Sequence, residues 1–178
     1  MAKKLILIGT DHRIQQSVTK GPNGAWLPRA SPRFHKLVTH CLRKLGATTI
    51  LEEAHPEQEK VAPTICSEIA KELKLSWKAI SVGQPNVADA LYDQPIENYM
   101  AMGVVPLPLA GQYRLPLQKE REAVMAGLIG EALQAFDCVL AVVGYTHLAV
   151  LAREFHEKGV EVQALMFTYP LVIDESRA

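Results

Sequence analysis

Val139-Leu140-Ala141-Val142-Val143 is an unbroken apolar run, and together with the residues after it this run sets the fold class. A short run rich in β-branched residues reads as a strand buried on both faces. A helical pattern from Thr146 to Lys158 comes next, Gly159 closes it, and Val160 to Met166 makes another strand. Strand, helix and strand in that order form a crossover unit, whose two strands lie parallel.

Working outward, the same alternation recurs. Leu5-Ile6-Leu7-Ile8 is a buried strand ended by Gly9. Ser31 is a candidate cap for a helix with apolar positions Phe34, Leu37, Val38, Cys41, Leu42 and Leu45, ended by Gly46. Thr48-Thr49-Ile50-Leu51 is a further strand that stops at Glu52-Glu53, followed by a helix from about Thr64 to Leu73 and a strand around Lys78 to Val82. Pro116 suits the first turn of a helix running to about Ala135. The expectation is a single α/β domain over residues 1–178, with a mainly parallel sheet flanked by helices on both faces.

Two stretches resist this scheme. Between Gly9 and Ser31, a segment with Gly21-Pro22-Asn23-Gly24 and Trp26 shows no convincing element and reads as a lid or a surface excursion. Residues 83–114 carry Pro85, Pro95, Pro106 and Pro108 and hold at most a short helix near Val87 to Tyr92. They are candidates for a pocket wall or a homo-oligomer contact.

Composition narrows the class. The 178 residues hold 19 Lys plus Arg against 19 Asp plus Glu, so no net charge draws the chain to nucleic acid or anionic lipid. Met1-Ala2-Lys3-Lys4 precedes only four apolar residues, too few for a secretory signal, and no segment approaches a membrane span. Cys41, Cys66 and Cys138 are odd in number and widely spaced among apolar neighbours, which suits buried thiols rather than disulfides or a zinc cluster. The expectation is a cytoplasmic protein with a small-molecule or peptide substrate, and neither a nucleic-acid nor a membrane partner.

In an open parallel sheet, ligands collect outside the carboxyl ends of the strands. The strand ends here supply Gly9-Thr10-Asp11-His12, Glu52-Glu53-Ala54-His55, then Gly83, Gln84 and Asn86, and Gly144-Tyr145-Thr146-His147. Two histidines share one frame, an apolar strand followed by Gly-x-x-His. With 11 Gly and 6 His in the chain, chance would give roughly 0.4 such pairs, so the strand-end context raises an otherwise weak motif. Glycine would allow a sharp exit from the strand, letting the histidine turn back over the sheet edge. A lone histidine after a strand is more often a surface or capping residue; two in equivalent places tilt the reading to function. His35, His40 and His156 fall on helices and read as solvated, while His55 reads as an exposed loop residue or a support to the site.

The helix from Pro116 carries Leu117, Val124, Met125, Leu128 and Ala132 as its apolar stripe, and Arg121 falls on that stripe. A half-buried Arg needs an acidic partner, an anionic ligand or a wet cleft, unless it snorkels to the surface along its stem.

Together these residues resemble the TraB/Tiki superfamily, related to the erythromycin esterases and the ChaN-like proteins. The similarity lies in Leu7-Ile8-Gly9-Thr10-Asp11-His12, in Leu51-Glu52, in Glu120-Arg121-Glu122-Ala123-Val124-Met125, and in Val139 to Val143 followed by Gly144-Tyr145-Thr146-His147-Leu148. It covers short islands of the chain, and Glu52 fits the family's strand-end Glu better than Glu53. The resemblance implies one site made of His12, Glu52, His147 and Arg121, used in relatives for metal-dependent peptide hydrolysis or for ester hydrolysis. The chain is shorter than those relatives and carries no signal for secretion or anchoring, so their substrates do not transfer.

The expected activity is hydrolysis of a small or extended polar substrate, peptide or ester. His12, Glu52 and His147 form a facial set for a divalent metal (Mn, Co or Zn) that lowers the pKa of bound water. Without a metal, His12 is the general base and Glu52 orients it, while Arg121 holds an anionic group or the developing oxyanion. The rival from another class is a ligand-binding or sensing module for haem, metal or nucleotide, without turnover.

Overall fold

The computed structural model describes residues 2–10, 12–15, 18–20, 26–28, 31–54, 63–80 and 116–167, with the side chains of 12, 13, 18–20, 26–28 and 116–118 outside that description. Among the described residues five strands form one all-parallel sheet: β1 (Lys4–Thr10), β4 (Thr49–Glu52), β5 (Ser76–Ala79), β6 (Cys138–Gly144) and β7 (Glu161–Phe167). Their order across the sheet is β5-β4-β6-β1-β7. The α/β architecture read from the sequence is the observed one.

Strand parity divides the core into two layers. Even positions of β1 and β6, with Ile50 of β4, meet α2 (Pro32–Lys44) and α3 (Ile65–Leu73), where Ile6, Ile8, Leu140 and Val142 pack on Phe34, Val38, Cys66 and Ile69. Odd positions meet α4 (Pro116–Ala135) and α5 (Tyr145–Glu157), where Leu5, Leu7, Leu51, Val139 and Val143 pack on Met125, Ile129, Leu151 and Phe155. A strand buried on both faces can carry no alternation, which is why β6 reads as a solid apolar run.

The helix ends follow local chemistry. Thr64 caps α3 in a reciprocal box with Ser67. Ser31 sits at the N-cap of α2 but its side chain makes no capping bond, and Pro32 opens that helix instead. Gly46 and Gly159, after α2 and α5, take positive φ of 80° and 76°, the left-handed turn that glycine tolerates best.

Three details differ from the sequence reading. β5 is Ser76–Ala79 rather than Lys78 to Val82, a short edge strand whose Trp77 and Ala79 are half-buried between exposed Ser76 and Lys78. After β1 the chain is not featureless: a single turn α1 (His12–Gln15) precedes β2 (Val18–Lys20), which pairs antiparallel with β3 (Trp26–Pro28). The buried stripe of α4 is Glu122, Met125, Ala126, Ile129 and Leu133, while Val124 is exposed. That stripe is rotated from the expected one, because from Ala123 to Ala135 small and apolar residues recur on every face of α4 and either stripe satisfies helical spacing. The expected helix near Val87 to Tyr92 and the residues Gly83, Gln84, Asn86 and His55 lie outside the described residues.

The connection from β1 leads past β6 to β4, and the connection from β6 leads past β1 to β7. These neighbouring strands therefore send their chains in opposite directions, the switch point beside which open parallel sheets place their ligands.

Candidate functional site

At that end of the sheet, on the face covered by α4 and α5, four charged or ionisable side chains converge. Glu53 follows β4, and its backbone N–H still donates to Val142 O at 2.8 Å, so the ladder extends through residue 53. Period-two alternation then sends the Glu53 side chain to the face opposite Glu52. There its Oε1 accepts from Arg121 Nη2 at 2.7 Å and its Oε2 accepts from the backbone N–H of Gly144 at 2.7 Å. Gly144 is the N-cap of α5, whose positive end favours a carboxylate at this place.

His147, in the first turn of α5, is 4 % exposed and stands between two carboxylates. Its Nδ1 lies 2.9 Å from Glu122 Oε1, and its Nε2 lies 3.6 Å from Glu53 Oε1. A carboxylate only accepts, so the contact suits the neutral tautomer with its proton on Nδ1, in which Nε2 is the acceptor nitrogen. Arg121 is the most open member, with 22 % of its side chain exposed, and through Nη2 it donates to Glu53. A guanidinium has further N–H groups for a ligand.

Glu52 belongs to the other face. It is 0 % exposed, and its Oε2 accepts from Thr64 Oγ1 at 2.5 Å and from Trp77 Nε1 at 2.8 Å. Burial raises its pKa to about 7, against the opposing effect of hydrogen bonds from Thr64, Trp77 and Cys66. The Cys66 thiol is pushed well above its ordinary range by burial and then by Glu52. All three cysteines are free and buried.

The structure therefore brings Arg121 and His147 together around Glu53, with Glu122 behind the histidine, and puts Glu52 across the sheet from them. The trio of His12, Glu52 and His147 expected to hold a divalent metal is not assembled as such. Glu52 faces α3, the His12 side chain is outside the described residues, and among the described residues no group of three or more His, Cys, Asp or Glu is arranged to hold a metal ion.

Glu122 escaped the sequence reading because it sits in Lys119-Glu120-Arg121-Glu122, which looks like a solvated face. A signal was present: Glu122 precedes Met125 and Ala126 by three and four residues, the spacing of one helix face. The two Gly-x-x-His frames also prove different in kind. β1 runs on to Thr10 and β6 includes Gly144, whose φ of −57° is ordinary, so neither glycine makes a sharp exit. Gly9 instead allows close packing: a Cβ there would lie 2.9 Å from both Cβ and Cδ2 of Leu148. Leu148, next to the second motif's histidine, is seated on the first motif's glycine.

Set against protein-family models, curated proteins and solved structures, the chain matches none of them.

Proposed function

We propose that the chain is a hydrolase of a small or extended polar substrate, an ester or a peptide, working by general-base activation of water at His147. The observation that carries this reading is the contact of His147 Nδ1 with Glu122 at 2.9 Å, which fixes the ring and leaves Nε2 basic. Nε2 takes a proton from water, the resulting hydroxide attacks the carbonyl carbon, and the proton passes on to the leaving group as the carbon–heteroatom bond breaks. Glu122 and Glu53 flank the transient imidazolium, one at each ring nitrogen. Arg121 holds an anionic group of the substrate or the developing oxyanion. The resemblance to the TraB/Tiki superfamily supports hydrolysis as the reaction class through His147 and Arg121. Free buried thiols support a cytoplasmic setting, and among the described residues no helix is long and apolar enough to cross a membrane.

The competing reading is ligand capture without turnover, of haem or a nucleotide. It rests on Arg121, which is partly open and has further N–H groups for an anionic ligand, although the Gly144 N–H is already taken by Glu53. A panel of activated esters and short peptides, assayed with and without a chelator, decides between them. Hydrolysis that persists in chelator and is lost in His147→Ala supports the imidazole base. Activity removed by chelator and restored by Mn, Co or Zn transfers the activation of water to a metal. No turnover, together with saturable binding of haem or nucleotide, sinks the hydrolase.

A further inference from the structure

We infer that Gly9 is a positioning residue: having no side chain, it seats the first turn of α5 on β1 and thereby sets where His147 stands against Glu122. Gly9 is an odd position of β1, so its missing side chain would point to the α4 and α5 layer. It is held in register on both sides, opposite Val143 of β6 and Met166 of β7. The strand therefore has little room to yield. A Cβ at position 9 would stand 2.9 Å from Leu148 Cβ and 2.9 Å from Leu148 Cδ2. The Cδ2 contact can be relieved by side-chain rotation, but Cβ is fixed to the helix backbone, so the helix itself must withdraw.

Ordinary van der Waals contact begins near 3.4 Å, which sets the withdrawal at about 0.5 Å. His147 is covalently next to Leu148 and moves with it. A displacement of that size takes a 2.9 Å contact to the edge of hydrogen-bonding distance and reaches the tolerance of a catalytic constellation, about 0.5 Å. Gly9 does not take a positive φ, so close approach, and not an unusual backbone conformation, is what this position requires.

The seat itself is a claim about geometry; only its consequence for turnover rests on the hydrolase reading. The test uses the full chain with ¹⁵N-labelled histidine, reading the His147 ring signals by NMR, assigned by their loss in His147→Asn. Gly9→Ala is expected to shift the Nδ1–H signal upfield as the bond to Glu122 weakens, and to lower kcat about ten-fold with KM little changed. Gly9→Ala combined with Leu148→Gly removes the clashing Cβ; the signal and most of the rate return although this variant melts lowest. Leu148→Ala alone trims the flexible end but keeps Cβ, so the signal stays in place while Tm falls. An unmoved signal in Gly9→Ala, a signal that stays displaced in the double variant, or one displaced in Leu148→Ala as far as in Gly9→Ala overturns the inference. Where the glycine variants do not fold, a Leu148→Ala signal in its wild-type place supports a seat made at Cβ, and a displaced one overturns it. Should the wild-type chain turn over no substrate, the spectra still judge the seat, and the hydrolase reading fails separately.

Discussion

Glu52 and Glu53 leave the end of β4 on opposite faces, the first among Thr64, Trp77 and Cys66, the second among Gly144, Arg121 and His147. One peptide bond separates them, yet the first has neutral donors and a dry surrounding while the second has a guanidinium and the positive end of a helix. The lesson concerns what a sheet does to adjacent residues. Alternation of side chains sorts neighbours into different environments, so identical chemistry at consecutive positions acquires different uses.

The largest test of that contrast is kinetic. Glu122→Gln, on the side of His147, is expected to lower kcat about a hundred-fold or more, whereas Glu52→Gln should leave it within about three-fold. Equal losses in the two variants, measured on the same ester or peptide, would dissolve the distinction between the faces.

Stability offers the next comparison. Glu53→Ala strips Arg121 of its carboxylate in a half-buried place, and a loss of about 3 kcal/mol is expected, the lower end for a broken buried pair because Arg121 keeps contact with water. Urea unfolding at neutral pH measures it, and a loss under about 1 kcal/mol would mean the ion pair behaves as a surface one.

Glu52 should show itself through pH. Its pKa is about 7 in the folded chain against an ordinary 4.5, so across that window the unfolded state sheds a proton that the native state keeps. Stability therefore falls as pH rises from about 4.5 and levels off above about 7, by about 3 kcal/mol in all. Glu52→Gln is expected to flatten this slope, as read from unfolding midpoints across the range. A slope that survives the substitution belongs to another group.

The smallest effect lies at the thiols. Burial raises the pKa of Cys41, Cys66 and Cys138, so labelling by a disulfide reagent should proceed only through unfolding. Glu52→Gln should alter the rate at Cys66 less than about three-fold once differences in stability are allowed for. A fast native reaction at Cys66 would show that its layer is open to solvent.

The layered plan was legible because its strongest signals are local. Val139 to Val143, the spacing of Phe34, Val38, Cys41 and Leu42, and the extent of Pro116 to Ala135 each follow from periodicity and end signals within one element. Arg121 and His147 were visible for the same reason, one on a helix stripe and the other after a strand. The carboxylates were harder. Choosing between Glu52 and Glu53 needs the strand's register to a single residue, and an error of one exchanges the faces. Glu122 needed the rotation of α4, which the small and apolar residues spread round its second half, Ala123 to Ala135, do not declare. The hairpin of β2 and β3 was missed because its arms are three residues each, too short for any alternation to register.

The order β5-β4-β6-β1-β7 also bears on how the chain is made. β1 is lodged between two strands that are synthesised well after it, with Leu5 opposite Val139 and Val162. During translation β1 must therefore wait, its apolar edges unmatched, until β6 and β7 have been made. Such long-range closure makes for slow assembly and a window in which chaperones have something to hold.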